Sequence, residues 1–131
     1  MPVVLDTTVL IDVLRGRPLA VAGLVELERS GERVYTSVVS VEELVRGLRG
    51  SREEAAAARL LGGLRLAPIG REEGEQAGRW RREHARRGVT LSQSDCLIAA
   101  ATHGLRARLA TGNPKHFPMR RLAVEHWSSG V

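Results

Sequence analysis

The sequence predicts an α/β fold with a mainly parallel central sheet and helices on both faces. Two observations carry this. Short β-branched runs alternate with longer segments of helical periodicity along the whole chain. The order of these elements is β-α-β-α, and such alternation joins parallel strands through crossover helices that cover both faces.

The elements follow in order. Pro2-Val3-Val4-Leu5 is apolar and too short for a helix, so it reads as a strand that Asp6-Thr7-Thr8 ends. Val9 to Leu14 reads as a helix stopped near Gly16 and Pro18, and Leu19 to Arg29 as a second helix ending at Gly31. Val34 to Val39 is β-branched and aromatic, a second strand. Val41 to Leu48 sets Val41, Leu44, Val45 and Leu48 on one helical face, and Glu53 to Leu61 continues as a helix after Gly50-Ser51. Leu64 to Ile69 is a strand placed at an edge by Pro68. Glu72 to Arg87 is a charged helix, and Ser92 to His103 an apolar one closed by Gly104. Arg108 to Thr111 and Leu122 to Trp127 complete the strands.

Composition bounds the function. The 131 residues fit a single domain over 1–131, and 43% hydrophobic residues suffice for one core. No apolar run approaches membrane-spanning length, and the N-terminus lacks a signal-peptide pattern, so the chain reads as cytoplasmic. The lone Cys96 excludes an internal disulfide and a cysteine-cluster metal site. Trp80, Trp127, Tyr35 and Phe117 are too few and scattered for a base-stacking sheet. The net charge is +5, and of the 20 basic residues only Lys115 is a lysine. Arginine forks suit phosphate, although GC-rich coding produces the same excess.

Parallel sheets place functional groups beyond the carboxyl ends of their strands. That rule points to Asp6, to Ser40–Glu43 and to Thr111-Gly112-Asn113. Each acid has a structural reading beside the chemical one. Asp6 suits an N-cap, and Ser40-Val41-Glu42-Glu43 and Ser92-Gln93-Ser94-Asp95 both read as capping boxes. Glu42 lies about 100° around the helix from Glu43 and reads as solvated. If Asp6, Glu43 and Asp95 converge, an oxygen-only donor set suits Mg²⁺ or Mn²⁺, which polarises a phosphodiester. Asp12 reads as second to this set or as a solvated or arginine-paired residue.

Four segments then resemble one family. Val3-Val4-Leu5-Asp6-Thr7-Thr8-Val9-Leu10-Ile11-Asp12 looks like the opening of a PIN-domain ribonuclease. Ser37 to Gly47, with Glu43-Leu44-x-x-Gly47, resembles the second motif of that family. Asp95-Cys96-Leu97-Ile98-Ala99-Ala100 resembles the third, and Thr111-Gly112-Asn113-Pro114-Lys115-His116-Phe117 the fourth. The matches stand in the family's order across nearly the whole chain, and the length is most like the VapC toxins of VapBC toxin–antitoxin pairs. The resemblance implies a PIN-like three-layer α/β/α sandwich and a toxin acting as a metal-dependent endoribonuclease. It implies Asp6, Glu43 and Asp95 as the metal-binding acids, with Asn113 at the fourth acidic position. It also implies a cognate VapB-like antitoxin and a homodimer.

Asn113 brings an amide where many relatives carry a carboxylate, which weakens a second metal site. Thr7 and Thr111 match hydroxyl positions able to hold a water or an acid, with capping and turn chemistry as the alternative. His84, His103, His116 and His126 read as surface or cap residues, and Cys96 as a buried small residue. Arg79, Arg81, Arg82, Arg86 and Arg87 form a solvated or RNA-docking helix face; Arg15, Arg17, Arg46 and Arg49 lie nearer the expected crevice. A catalytically idle PIN-like domain that binds RNA or protein is the alternative function. An aspartyl phosphotransferase needs a second acid two residues after Asp6, where this chain has Thr8.

Overall fold

The apolar run Val3–Leu5 becomes β1, the central strand of a five-stranded sheet in the order β3-β2-β1-β4-β5. The computed structural model describes residues 1–129; residues 130 and 131 of the expected domain lie outside the described residues. β2 is Val34–Thr36, β3 Arg65–Leu66, β4 Arg108–Thr111 and β5 Ala123–His126. Every pairing is parallel, with Val3 opposite Val34 on one side and Arg108 on the other. β1 is fully buried because helices cover both faces.

Alternation along β1 sorts side chains between two cores. Val4 joins Trp80, Ile98 and Leu109 beneath α5 (Arg71–Arg86) and α6 (Gln93–Gly104). Val3 and Leu5 join Val9, Leu10, Leu27 and Leu44 beneath α1 (Thr7–Leu14), α2 (Pro18–Arg29), α3 (Val38–Arg46) and α4 (Gly50–Gly62). Fully burying a leucine such as Leu5 or Leu109 stabilises by about 1.5–3 kcal/mol. The three-layer α/β/α expectation holds, and β3 lies at the sheet edge as expected, although it ends before Pro68.

Boundaries differ where local chemistry overrides β-propensity. The strand expected over Val34–Val39 ends at Thr36. Ser37 Oγ accepts from the Ser40 N–H at 3.1 Å and starts α3 at Val38, inside the β-branched run. The expected Ser40–Glu43 capping box is therefore incorrect: Ser40 lies within the helix and Ser37 is its cap. The strand expected over Leu64–Ile69 shrinks to two residues, and a 3₁₀ turn at Pro114–His116 was not foreseen. Gly23 in α2 is set by contact: a Cβ there would lie 2.6 Å from the Trp127 ring, against which the glycine lets the helix close.

Candidate active site at the carboxyl edge of the sheet

β1 and β4 are neighbours, and the connections leaving them run to opposite sides of the sheet. The crevice at such a switch point is where parallel α/β sheets expose functional groups. Asp6 follows β1 directly, and Thr111 ends β4. The Asp6 N–H donates to Ala110 O at 3.1 Å, which locks the two strand ends together.

Asp6 is both a cap and a site residue. Its Oδ1 accepts from the Val9 N–H at 3.1 Å, capping α1, and from the Thr8 hydroxyl at 2.6 Å. Its Oδ2 accepts from the Thr111 hydroxyl. Thr8 Oγ1 in turn accepts from the Gly112 N–H at 2.8 Å, and Thr111 Oγ1 from the Asn113 N–H at 2.9 Å. The carboxylate is only 3% exposed. Burial raises its pKa above the ordinary aspartate value, and the bonds from Thr111, Thr8 and Val9 only partly oppose this. Among the described residues no basic side chain hydrogen-bonds or pairs with this carboxylate. Oδ2 accepts one bond and retains capacity for another donor or a cation.

Glu43 is reached through Thr7. The Thr7 hydroxyl donates to Glu43 Oε1 at 2.6 Å and lies 3.1 Å from Ser40 Oγ, which the buried Ser37 hydroxyl approaches at 3.3 Å. Adjacent threonines at the start of α1 therefore orient two acids: Thr8 holds Asp6 and Thr7 holds Glu43. Asp95 stands apart from this network. Its backbone N–H donates to Ser92 Oγ at 3.1 Å, so the expected cap at Ser92 forms. Its Oδ2 lies 3.4 Å from His116 Nδ1, an ion pair when the imidazole is protonated. The Asn113 carbonyl accepts from the His116 N–H at 3.0 Å, and its side-chain amide meets no partner among the described residues.

Thr8 and the contact of His116 with Asp95 are what sequence reasoning missed; Ser40 was singled out, but as a helix cap rather than as a neighbour of Thr7. His116 was expected at the surface. It is exposed, but the 3₁₀ turn sets it against Asp95. His84, also expected at the surface, is buried with Nδ1 2.9 Å from Trp80 O. Glu42 is exposed and pairs with Arg46 at 3.9 Å, and Cys96 is buried with its thiol pushed up to about 11 by desolvation, as their readings anticipated. Arg15 and Arg49 line a groove of about 370 Å³ with Glu43. Among the described residues, no three His, Cys, Asp or Glu side chains stand close enough together to hold an ion as placed. The donor chemistry nonetheless fits a hard cation: all-oxygen donors around a buried carboxylate that no basic side chain among the described residues hydrogen-bonds or pairs with.

An all-parallel sheet with a buried aspartate following β1 and bonded to the threonine that ends β4 defines the class. A sequence profile of the PIN domain matches residues 3–123, and the chain belongs to the PIN-domain family. Within it the chain is of the VapC type. It is 38% identical over 118 residues to Ribonuclease VapC19 of Mycobacterium tuberculosis (strain CDC 1551 / Oshkosh), covering 88% of this chain and 91% of that protein. The fold matches VapBC-1 from nontypeable Haemophilus influenzae with a TM-score of 0.82 at 25% identity, over 97% of this chain and 98% of that one. It also matches VapBC2 from Rickettsia felis, solved bound to a DNA fragment from its promoter, with a TM-score of 0.85 at 20% identity, over 98% and 100% of the two chains.

Proposed function

We propose that this chain, as a single domain over residues 1–131, is the toxin of a toxin–antitoxin pair and cleaves RNA as a metal-dependent endoribonuclease. The observation that carries this is the buried, charge-uncompensated Asp6 at the β1–β4 switch point, in a chain 38% identical to a ribonuclease along nearly its full length. Asp6, Glu43 and Asp95 would hold Mg²⁺ or Mn²⁺, and the Asn113 amide would offer a neutral oxygen beside them. When bound, such a cation supplies Lewis-acid polarisation of the scissile phosphodiester.

The protein's own groups do the rest. Thr111 and Thr8 fix both oxygens of Asp6, and Thr7 fixes Glu43, so these two acids need no reorganisation at the moment of reaction. Arg15 and Arg49 bring positive charge to the groove beside Glu43, where a phosphate would otherwise meet carboxylates. The more exposed Asp95, with His116 3.4 Å away, would be the member of the set that an incoming strand meets first. The partner is a VapB-like antitoxin, in keeping with the VapBC assemblies this fold matches, and the toxin itself is read as a homodimer. No helix among the described residues is long and apolar enough to cross a membrane, and the proposed place of action is the cytoplasm.

The test is cleavage of end-labelled small RNA in Mg²⁺ or Mn²⁺ beside an Asp6→Asn variant. Discrete products lost on adding EDTA and lost in the variant are expected. Cleavage that survives both would sink the reading. Absence of cleavage, with no divalent cation bound in a calorimetric titration, would favour an idle RNA- or protein-binding domain.

A further inference from the structure

The acidic crevice leaves most of the arginines unaccounted for. α5 and α6 pack as an antiparallel hairpin. Glu73 near the start of α5 lies beside Gly104 at the end of α6. At the other end Arg81 Nε donates to Leu91 O at 3.2 Å, just ahead of α6. The last turn of α5 therefore comes to the same side of the molecule as Asp95 in the first turn of α6.

There the end of α5 and the segment after the 3₁₀ turn enclose a cleft of about 430 Å³, lined by Trp80, Glu83, His84, Arg86, Arg87 and Arg120. Arg86, Arg87 and Arg120 are exposed, and their guanidinium groups make no hydrogen bond or ion pair with any described residue. Glu83 offsets one of the three charges. A helix C-terminus attracts a nearby cation, which accounts for Arg86 at the end of α5. It does not account for Arg120, which a separate segment delivers to the same cleft. Converging guanidinium groups repel unless an anion lies among them, and their forked donors match phosphate oxygens.

The cleft is also continuous with the crevice along the chain. From His116, 3.4 Å from Asp95, to Arg120 is four residues. That segment spans at most about 14 Å, the reach of a few nucleotides, and the exposed Lys115 stands beside His116. We propose that the Arg86–Arg87–Arg120 cleft is a phosphate-docking site for the RNA strand cut in the crevice. The strand passes Asp95 and Lys115 and is gripped by the three arginines. This rests on the ribonuclease reading of the crevice.

The experiment measures binding of a fluorescein-labelled oligouridylate of about 20 nucleotides by the full chain in EDTA, where nothing is cleaved. It compares Arg86→Gln/Arg87→Gln/Arg120→Gln with a control of equal charge, Arg29→Gln/Arg33→Gln/Arg52→Gln. The cleft variant should bind about tenfold more weakly, with the slope of log K against log salt reduced by about 2, and the control should bind within about twofold of wild type. Equal loss in both variants, or loss in neither, overturns the proposal, as does equal competition by polyglutamate and unlabelled RNA. Thermal melting checks folding, and Arg120→Gln alone, with an expected loss of about threefold, replaces a triple variant that fails to fold. If wild type cleaves no RNA while cleft-dependent binding persists, the ribonuclease reading falls and the docking site stands. If cleavage is intact and the cleft variant binds normally, the docking site falls alone.

Discussion

Asp6 and Asp95 each open a helix, yet the protein holds them in opposite ways. Asp6 is the N-cap of α1, 3% exposed, with a backbone N–H and two threonine hydroxyls donating to it. Asp95 sits in the first turn of α6 with its side chain 24% exposed. Ser92 does the capping there, and among the described residues the Asp95 carboxylate meets only the His116 ring. One carboxylate is part of the fold and the other merely rests on it. A functional acid can thus be fixed by its own hydrogen bonds, or presented by a helix whose stability does not depend on it.

The largest effect should ignore this difference. Asp6→Asn and Asp95→Asn should each lower the rate of RNA cleavage about a hundredfold or more, because each removes a carboxylate proposed to hold the cation. Initial rates in Mg²⁺ check this, and full activity in either variant would remove that acid from the site. The next effect should separate the two. Asp6→Ala should cost about 2–4 kcal/mol of stability, since a cap is lost and the Val9 N–H and Thr8 and Thr111 hydroxyls lose their acceptor. Asp95→Ala should stay within about 0.5 kcal/mol of wild type. Equal costs in urea unfolding would break the comparison.

A third measurement probes the supporting hydroxyl. Thr111→Val should cost about 1–2 kcal/mol, because it strips one donor from a buried carboxylate while keeping the side-chain shape. The smallest effect concerns pH. Burial raises the Asp6 pKa, so the folded protein holds this proton more tightly than the unfolded chain does. The stability Asp6 contributes is full below the unfolded carboxylate pKa and is lost as pH rises through the folded value. Wild type relative to Asp6→Asn should therefore be most favoured near about pH 3 and least favoured at neutrality, in EDTA. A flat difference would mean that the hydroxyl bonds fully offset burial.

Much of the frame was legible in the residues. The Val3–Leu5 and Arg108–Thr111 strands, the edge position of β3, the Asp6 and Ser92 caps and the buried Cys96 all follow from local pattern. The β2–α3 junction did not. Thr36-Ser37-Val38-Val39 reads as strand by β-propensity, and a single hydroxyl accepting from the Ser40 N–H turns it into a helix start. His84 was misplaced for the opposite reason: the burial that covers it comes from packing, which its neighbours in sequence do not announce, whereas His116 is exposed as expected and only its approach to Asp95 went unforeseen.

What the sequence determined by itself is local. Strand runs, caps and helix periods depend on residues within a turn or two of each other, and they already place Asp6 after the first strand and Asp95 at the start of the apolar helix. What only the tertiary structure decided is long-range. Thr111 donates to Asp6 across 105 positions, and Thr7 reaches Glu43 across 36. Those bonds exist because β1 and β4 pair with Leu5 beside Ala110, and because α3 packs against the start of α1. Register and burial are cooperative properties of the whole sheet, and burial is what raises the Asp6 pKa.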